Sequence, residues 1–332
     1  MVAGTTVLRV ENLRTTFATR RGTVRAVDGV SLELRSESVL ALLGESGSGK
    51  TMTGLSIMRL VPEPGQVTGG QIWFGERELV GLDAGAMRQL RGSGIAMVFQ
   101  NPRDRLDPAL AIGAQLAEVL LLHRASASRA AARERSVELL REVQIADPER
   151  VLRAHPHELS GGLLQRVMIA MALSGSPDVL IADEPTSSLD VTIQSEILDL
   201  LDTLRRARGM SVLFITHDIQ VARQVADQVA IMYGGHIVEH GRADEVLDRP
   251  LHPYTQALLA CVPRVTDDSR RLTTIAGQPL NLRELPPGCR FAPRCPYVQD
   301  RCLAAVPPLL EVRGRLARCV LHEAPEAPSP RG

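Results

Sequence analysis

Residues 44 to 51 read GESGSGKT, and no other stretch narrows the possible folds as far. Gly44, four residues, then Gly49, Lys50 and Thr51 have the spacing of a phosphate-binding loop. The apolar run VLALLG (39–44) precedes it, and MTGLSIMRLV (52–61) follows with apolar residues at helical intervals. The predicted order is strand, glycine loop, helix, the context that such a loop requires. Glycines let backbone N–H groups turn toward phosphates, the helix N-terminus adds the positive end of its dipole, and the Thr51 hydroxyl can ligate Mg²⁺. The predicted phosphate-binding set is therefore Gly44, Glu45, Ser46, Gly47, Ser48, Gly49, Lys50 and Thr51. Lys50 is also the chain's only lysine; the other 37 residues of that class are arginine. A compact ammonium on a thin stem can reach β- and γ-phosphates as a point charge, whereas a planar guanidinium is wider and forked.

A phosphate loop alone says only nucleoside triphosphate. VLIADEP (179–185) places Asp183 at the end of a short apolar strand, where a carboxylate can hold Mg²⁺ directly or through water. Glu184 beside it can polarise an attacking water. His217 follows the strand SVLFIT and Gln100 ends IAMVFQ in the same way. Taken singly, each of these two is as consistent with a structural role at a strand end.

The wider pattern alternates strands with helices: LLQRVMIAMAL (163–173) as helix, VLIAD as buried strand, TIQSEILDLLDTLRRARG (192–209) as a helix ending at Gly209, and SVLFIT as buried strand. This predicts an α/β fold with a largely parallel sheet covered on both faces. Residues 109–158 are helical in character, with SASRAAARERSVELLREV (126–143) the clearest amphipathic stretch, and read as an insertion. QVAIMYGGHIVEHG (228–241) reads as two strands joined by a Gly-Gly turn. EAPEAPSPRG (323–332) has a disordered composition. Lys plus Arg and Asp plus Glu are equal at 38 each, so nucleic acid is not the expected partner. The start lacks a signal-peptide pattern and no apolar run approaches twenty residues, so a cytosolic chain that does not itself cross a membrane is expected.

LSGGLLQR (159–166) lies between the phosphate loop and VLIADEP, and with it the chain resembles ATP-binding cassette (ABC) ATPases. GESGSGKT stands as Walker A, Gln100 as the Q-loop, LSGG as the signature, VLIADE as Walker B with its glutamate, SSLD as the D-loop with Asp190, and ITHD as the switch-histidine segment. Phe17 stands where the family's adenine-stacking aromatic lies. The resemblance implies a P-loop cassette with a mostly parallel core sheet, an antiparallel β subdomain and an inserted helical subdomain. It implies two cassettes closing head to tail, so that Ser160, Gly161 and Gly162 of one contact ATP held by the other. It also implies Glu184 and His217 as catalytic residues, and Mg²⁺ held through Thr51, Gln100 and Asp183. Leu163 and Leu164 depart from the polar residues common there.

RAVDGVSLEL, RGSGIAMVFQNP, HPHELSGG, ADEPTSSLDVTIQ, HPYTQALLACVP and PGCRFAPRCP resemble the oligopeptide and dipeptide permease branch; RDRLDP (103–108) departs from it. The implied organisation is an ABC domain over 1–250, its helical subdomain near 101–160, a small Cys- and Pro-rich C-terminal domain over 251–322, and a tail over 323–332. The implied function is ATP-driven peptide import at the cytoplasmic membrane face, with a second, different ATPase subunit, two permease subunits and an external solute-binding protein. Import of nickel or another small solute, or an ABC ATPase acting on DNA or ribosomes, are the alternatives.

All five cysteines and 13 of 21 prolines fall between residue 250 and the C-terminus, and four of those cysteines, Cys289, Cys295, Cys302 and Cys319, are candidate ligands of one site. Their spacing lacks the tight pairs of structural zinc sites. It leaves open a [4Fe–4S] cluster, zinc, or packing of free thiols. The resemblance favours the cluster, because some peptide-importer ATPases carry one in this region.

Overall fold

The computed structural model describes residues 4–20, 22–123, 125–187, 189–262, 274–278 and 280–323. Ser188 of SSLD and all but Glu323 of the expected tail lie outside them.

β1 (Thr6–Thr19) and β2 (Gly22–Arg35) form a long antiparallel hairpin, and β3 (Val39–Leu43) continues into the phosphate loop and α1 (Lys50–Ile57). β4 (Gly65–Phe74) and β5 (Arg77–Glu78) complete a sheet in the order β2-β1-β4-β5. Along β1 and β2, apolar residues such as Leu8, Val10, Leu32 and Leu34 are buried while several of their neighbours are exposed, as expected of a sheet packed on one face. After α2 (Ala84–Leu90) come β6 (Ile95–Val98) and the helical arm: α3 (Ile112–Leu122), α4 (Arg129–Glu142) and α5 (Pro148–Arg153). The chain returns through α6 (Gly161–Leu173), β7 (Val179–Asp183), α7 (Val191–Arg208), β8 (Ser211–Thr216), α8 (Ile219–Val225), β9 (Gln228–Tyr233) and β10 (His236–Arg242).

The central sheet runs β11 (Leu310–Val312), β12 (Arg315–Ala317), β10, β9, β3, β8, β7, β6, with parallel pairing from β9 through β3, β8 and β7 to β6. β3, β6 and β7 are buried at every position, which VLALL, IAMV and VLIAD can satisfy because they carry almost no polar side chain. One core lies between this sheet and the antiparallel sheet and another under α6, α7 and the helical arm. α7 starts at Asp190, whose carboxylate accepts from the Ile193 N–H at 3.0 Å, and ends at Gly209 in the left-handed conformation, φ 63°.

The C-terminal region is tied closely to the cassette. After α9 (Ala243–Asp248) and α10 (Pro253–Ala260), α11 (Asp300–Ala304) leads to β11 (Leu310–Val312) and β12 (Arg315–Ala317). β12 pairs with β10, Glu239 opposite Ala317, so the last strands extend the central sheet. Tyr254 and Phe291 share a core with Ala41, Leu43 and Tyr233.

Candidate functional site

The parallel strands deliver their C-terminal ends to one edge, the position at which open α/β sheets bind ligands. β3 delivers the phosphate loop, β7 Asp183 and Glu184, β8 His217, and β6 Gln100 two residues past its end. A cleft of about 730 Å³ is lined by Gly44, Glu45, Ser46, Gly47, Gly49, Lys50, Thr51, Gln100, Glu184 and His217, whereas Ser48 and Asp183 are buried and not part of that lining. Segments up to 173 residues apart in sequence thus converge as the sequence predicts.

The loop depends on its glycines. A Cβ on Gly44 would lie 2.1 Å from the Met232 carbonyl oxygen, and one on Gly49, at φ 108°, 2.3 Å from that of Ala26. Lys50 is 4% exposed, its Nζ donating to the carbonyls of Gly44 at 2.8 Å and Glu45 at 3.0 Å. Burial lowers its pKa, against the pull of Glu184 and Asp183. Among the described residues, the buried Ser48 hydroxyl has no protein partner. A buried cation and an unpartnered hydroxyl on a loop of glycine amides suit an anion such as a triphosphate.

The Thr51 hydroxyl donates to Asp183 Oδ1 at 3.1 Å. Burial pushes the Asp183 carboxyl up to about 6, opposed by that hydrogen bond and assisted by Glu184. A hard divalent cation would restore the charged carboxylate, so Thr51 and Asp183 fit the Mg²⁺ expected with ATP.

Glu184 is the hub. Gln100 Nε2 donates to Glu184 Oε2 at 2.8 Å, and His217 Nδ1 lies 3.0 Å from Oε1. The Glu184 backbone is in the left-handed region at φ 45°, fixed by its N–H donating to the Ile215 carbonyl at 2.8 Å. Such strain in a non-glycine residue costs on the order of 1–3 kcal/mol and clusters at functional sites.

Ser160, Gly161 and Gly162 are absent from this cleft's lining. Ser160 caps α6, Oγ accepting from the Leu163 N–H at 3.4 Å, with Ser160 and Gly161 exposed. Gly162 abuts Ile193 of α7, where a Cβ would meet its side chain at 2.9 Å. The signature therefore presents a helix N-terminus outward, beside the Asp190 turn. Leu164 fills a core position and Leu163 packs against the same core, which accounts for their apolar character. Phe17 is likewise outside the cleft lining; its ring covers Gly65, where a Cβ would come within 2.5 Å of it.

Four residues outside the predicted set line the cleft: Ala26 from β2, Met52 from α1, and Leu258 and Leu282 from the C-terminal region. The only sequence signal for that region's role was its branch-like strings.

Cys302 and Cys319 are buried, with Cys289 and Cys295 partly so. The Cys289 N–H donates to the Cys302 carbonyl at 2.7 Å, and the Gln299 N–H to Cys302 Sγ at 3.4 Å. Burial pushes Cys319 up to about 11, with further upward contributions from Cys289, Cys295 and Cys302. The four thiols are thus electrostatic neighbours, and their softness suits iron–sulfur chemistry. Among the described residues, however, no three His, Cys, Asp or Glu side chains already surround one metal position.

Comparison with known proteins agrees with this geometry. Residues 27–187 match the family model described as ABC transporter, and 238–302 match the oligopeptide/dipeptide transporter C-terminal region. The oligopeptide transport ATP-binding protein AppD of Bacillus subtilis is 44% identical over 96% of this chain and 97% of its own length. OppD of Escherichia coli is 44% identical over 94% and 92%. The dipeptide transport ATP-binding protein DppD of Bacillus subtilis is 48% identical over 87% of each. Among solved structures, the ATP-binding cassette MJ0796, a dimer with ADP and Pi, superposes with a TM-score of 0.64 at 28% identity, covering 71% of this chain and 98% of that one.

Proposed function

We propose, for a chain that belongs to the ABC transporter family of ATP-binding cassettes, that it is the ATP-hydrolysing subunit of a peptide importer. The observation that carries the catalytic reading is the Glu184 carboxylate held between Gln100 and His217 at the mouth of the phosphate loop. ATP phosphates take the place of the Gly44 and Glu45 carbonyls as partners of Lys50, and the loop amides donate to them. Thr51, Asp183 and Gln100 would hold Mg²⁺, which neutralises charge on the β- and γ-phosphates. Glu184 orients and polarises the attacking water, while His217 turns from Glu184 to the γ-phosphate. Phe17 is assigned to the adenine end of ATP.

The outward-facing signature supports a second cassette as the supplier of Ser160, Gly161 and Gly162 to this cleft, and of this chain's signature to the partner's cleft. Asp190 sits at that junction. The partner is proposed to be a different ATPase subunit. Among the described residues no helix is long and apolar enough to cross a membrane. Two permease subunits are proposed to form the path, fed by an external solute-binding protein, with this chain at the cytoplasmic membrane face and the arm over residues 101–158 toward the permeases, a reading supported by the transport names of its relatives. The names of AppD, OppD and DppD support peptides as cargo. The four thiols are assigned to a [4Fe–4S] cluster, a reading supported by their thiol chemistry.

Glu184→Gln tests the catalytic assignment. Turnover should fall by at least about a hundredfold while ATP binding persists; near-normal turnover would contradict the role given to Glu184.

A further inference from the structure

Between Cys289 and Cys295, the chain sends two arginines and one phenylalanine into the cassette. Phe291 is 1% exposed, its ring centroid 5.4 Å from those of both Tyr233 and Tyr254. Arg290 donates to the Gly234 carbonyl and to the Asp28 carboxylate. Arg294, its side chain 5% exposed, reaches the phosphate loop: Nη1 donates to Glu45 Oε2 at 2.9 Å and Nη2 to Oε1 at 3.2 Å. Its Nε donates to the Ala276 carbonyl at 2.9 Å, which fixes the plane of the fork. From α10, the Tyr254 hydroxyl accepts from the Glu45 N–H at 2.9 Å. One residue of the phosphate loop is therefore held at both its amide and its carboxylate by the C-terminal region.

We propose that Arg294 is a positioning residue for nucleotide binding, cancelling and immobilising the Glu45 charge so that the loop can accept a triphosphate. The proposal rests on the reading of the cleft as the ATP site. Glu45 places a carboxylate in a loop that must wrap around an anion of about four charges, and in a partly dry site that repulsion is weakly screened. Released from Arg294, the carboxylate would also compete with phosphate for the nearby Lys50 ammonium. A bidentate guanidinium fork occupies both carboxylate oxygens at once, which one ammonium cannot do. Arg294 touches none of the groups around Glu184, so its removal should weaken binding and leave the chemical step largely intact.

Steady-state ATP hydrolysis by the full chain paired with its partner cassette, read as separate KM and kcat, tests this. Arg294→Gln should raise KM for ATP about tenfold with kcat within about twofold. Adding Glu45→Gln should bring KM back to within about threefold of wild type, because the charge that required neutralising is gone. Arg294→Lys should fall between, keeping the charge but not the fork. An unchanged KM in Arg294→Gln, a defect confined to kcat, or a double variant as impaired as the single one would each overturn the proposal, the last by pointing to mere support of the fold. If Arg294→Gln does not fold, Arg294→Lys and its Glu45→Gln double decide by the same comparison. A wild-type chain that neither binds nor hydrolyses ATP would overturn the proposal together with the ATP reading beneath it, whereas active wild type with an unaffected variant overturns the proposal alone.

Discussion

Lys50 lies in a slot closed by the Gly44 and Glu45 carbonyls and is almost wholly buried. A planar five-donor guanidinium does not fit where a single ammonium points at two oxygens. Lys50→Arg is therefore expected to lower ATP affinity by more than about tenfold with the charge unchanged. Equilibrium titration with ATP reads this directly, and wild-type affinity would remove the explanation for this chain's lone lysine. Gly44, Lys50, Thr51, Asp183, Glu184, Gln100 and His217 were legible in the sequence because each follows an apolar strand whose end the sheet must bring to one edge. Glu45 was read only as a member of the loop. Its partners Tyr254 and Arg294 lie 209 and 249 residues away, and no local pattern connects them.

The segments with long buried faces were equally readable: α7 has a clear amphipathic pattern, an Asp cap and a glycine stop, and β7 and β8 are apolar almost throughout. The strands β11 and β12 were missed, because three-residue strands carry too little alternation to register and take their stability from the β10 edge. RDRLDP (103–108) begins within a short 3₁₀ turn at Pro102–Asp104, and Arg105 places its guanidinium 4.8 Å from the Phe99 ring centroid. In the cysteine loop, Arg290, Phe291 and Arg294 are already anchored among cassette residues, while burial favours protonated thiols at Cys289, Cys295 and Cys319. Loading a metal must expel those protons, so occupancy should rise with pH. Protein purified without oxygen is expected to carry about four iron and four sulfide per chain. Zinc in place of iron, or a colourless metal-free chain, would rule out the cluster.

Two buried histidines make the folded chain acid-sensitive. Burial lowers His236 to about 4 and His252 to about 3 from an ordinary value of 6.5, and His252 uses its neutral Nδ1 to accept from the Tyr254 N–H at 3.0 Å. Between pH 6.5 and 4 the unfolded chain takes up protons at these positions that the folded chain refuses, so stability is full above this window and falls as pH decreases through it. Thermal melting should drop by several degrees from about pH 7 to about pH 5, and less steeply in His252→Asn. Identical slopes in the two proteins would exclude His252 as a source. The clamp on Glu45 also bears on how the chain is made. Phosphate loop and clamp are separated by 249 residues, a loop-closure distance that favours late formation. A ribosome that has translated the loop, the signature and the switch histidine has still not emitted Arg294, so the nucleotide pocket of a nascent chain acquires its final electrostatic balance only after nearly all of the cassette has been synthesised.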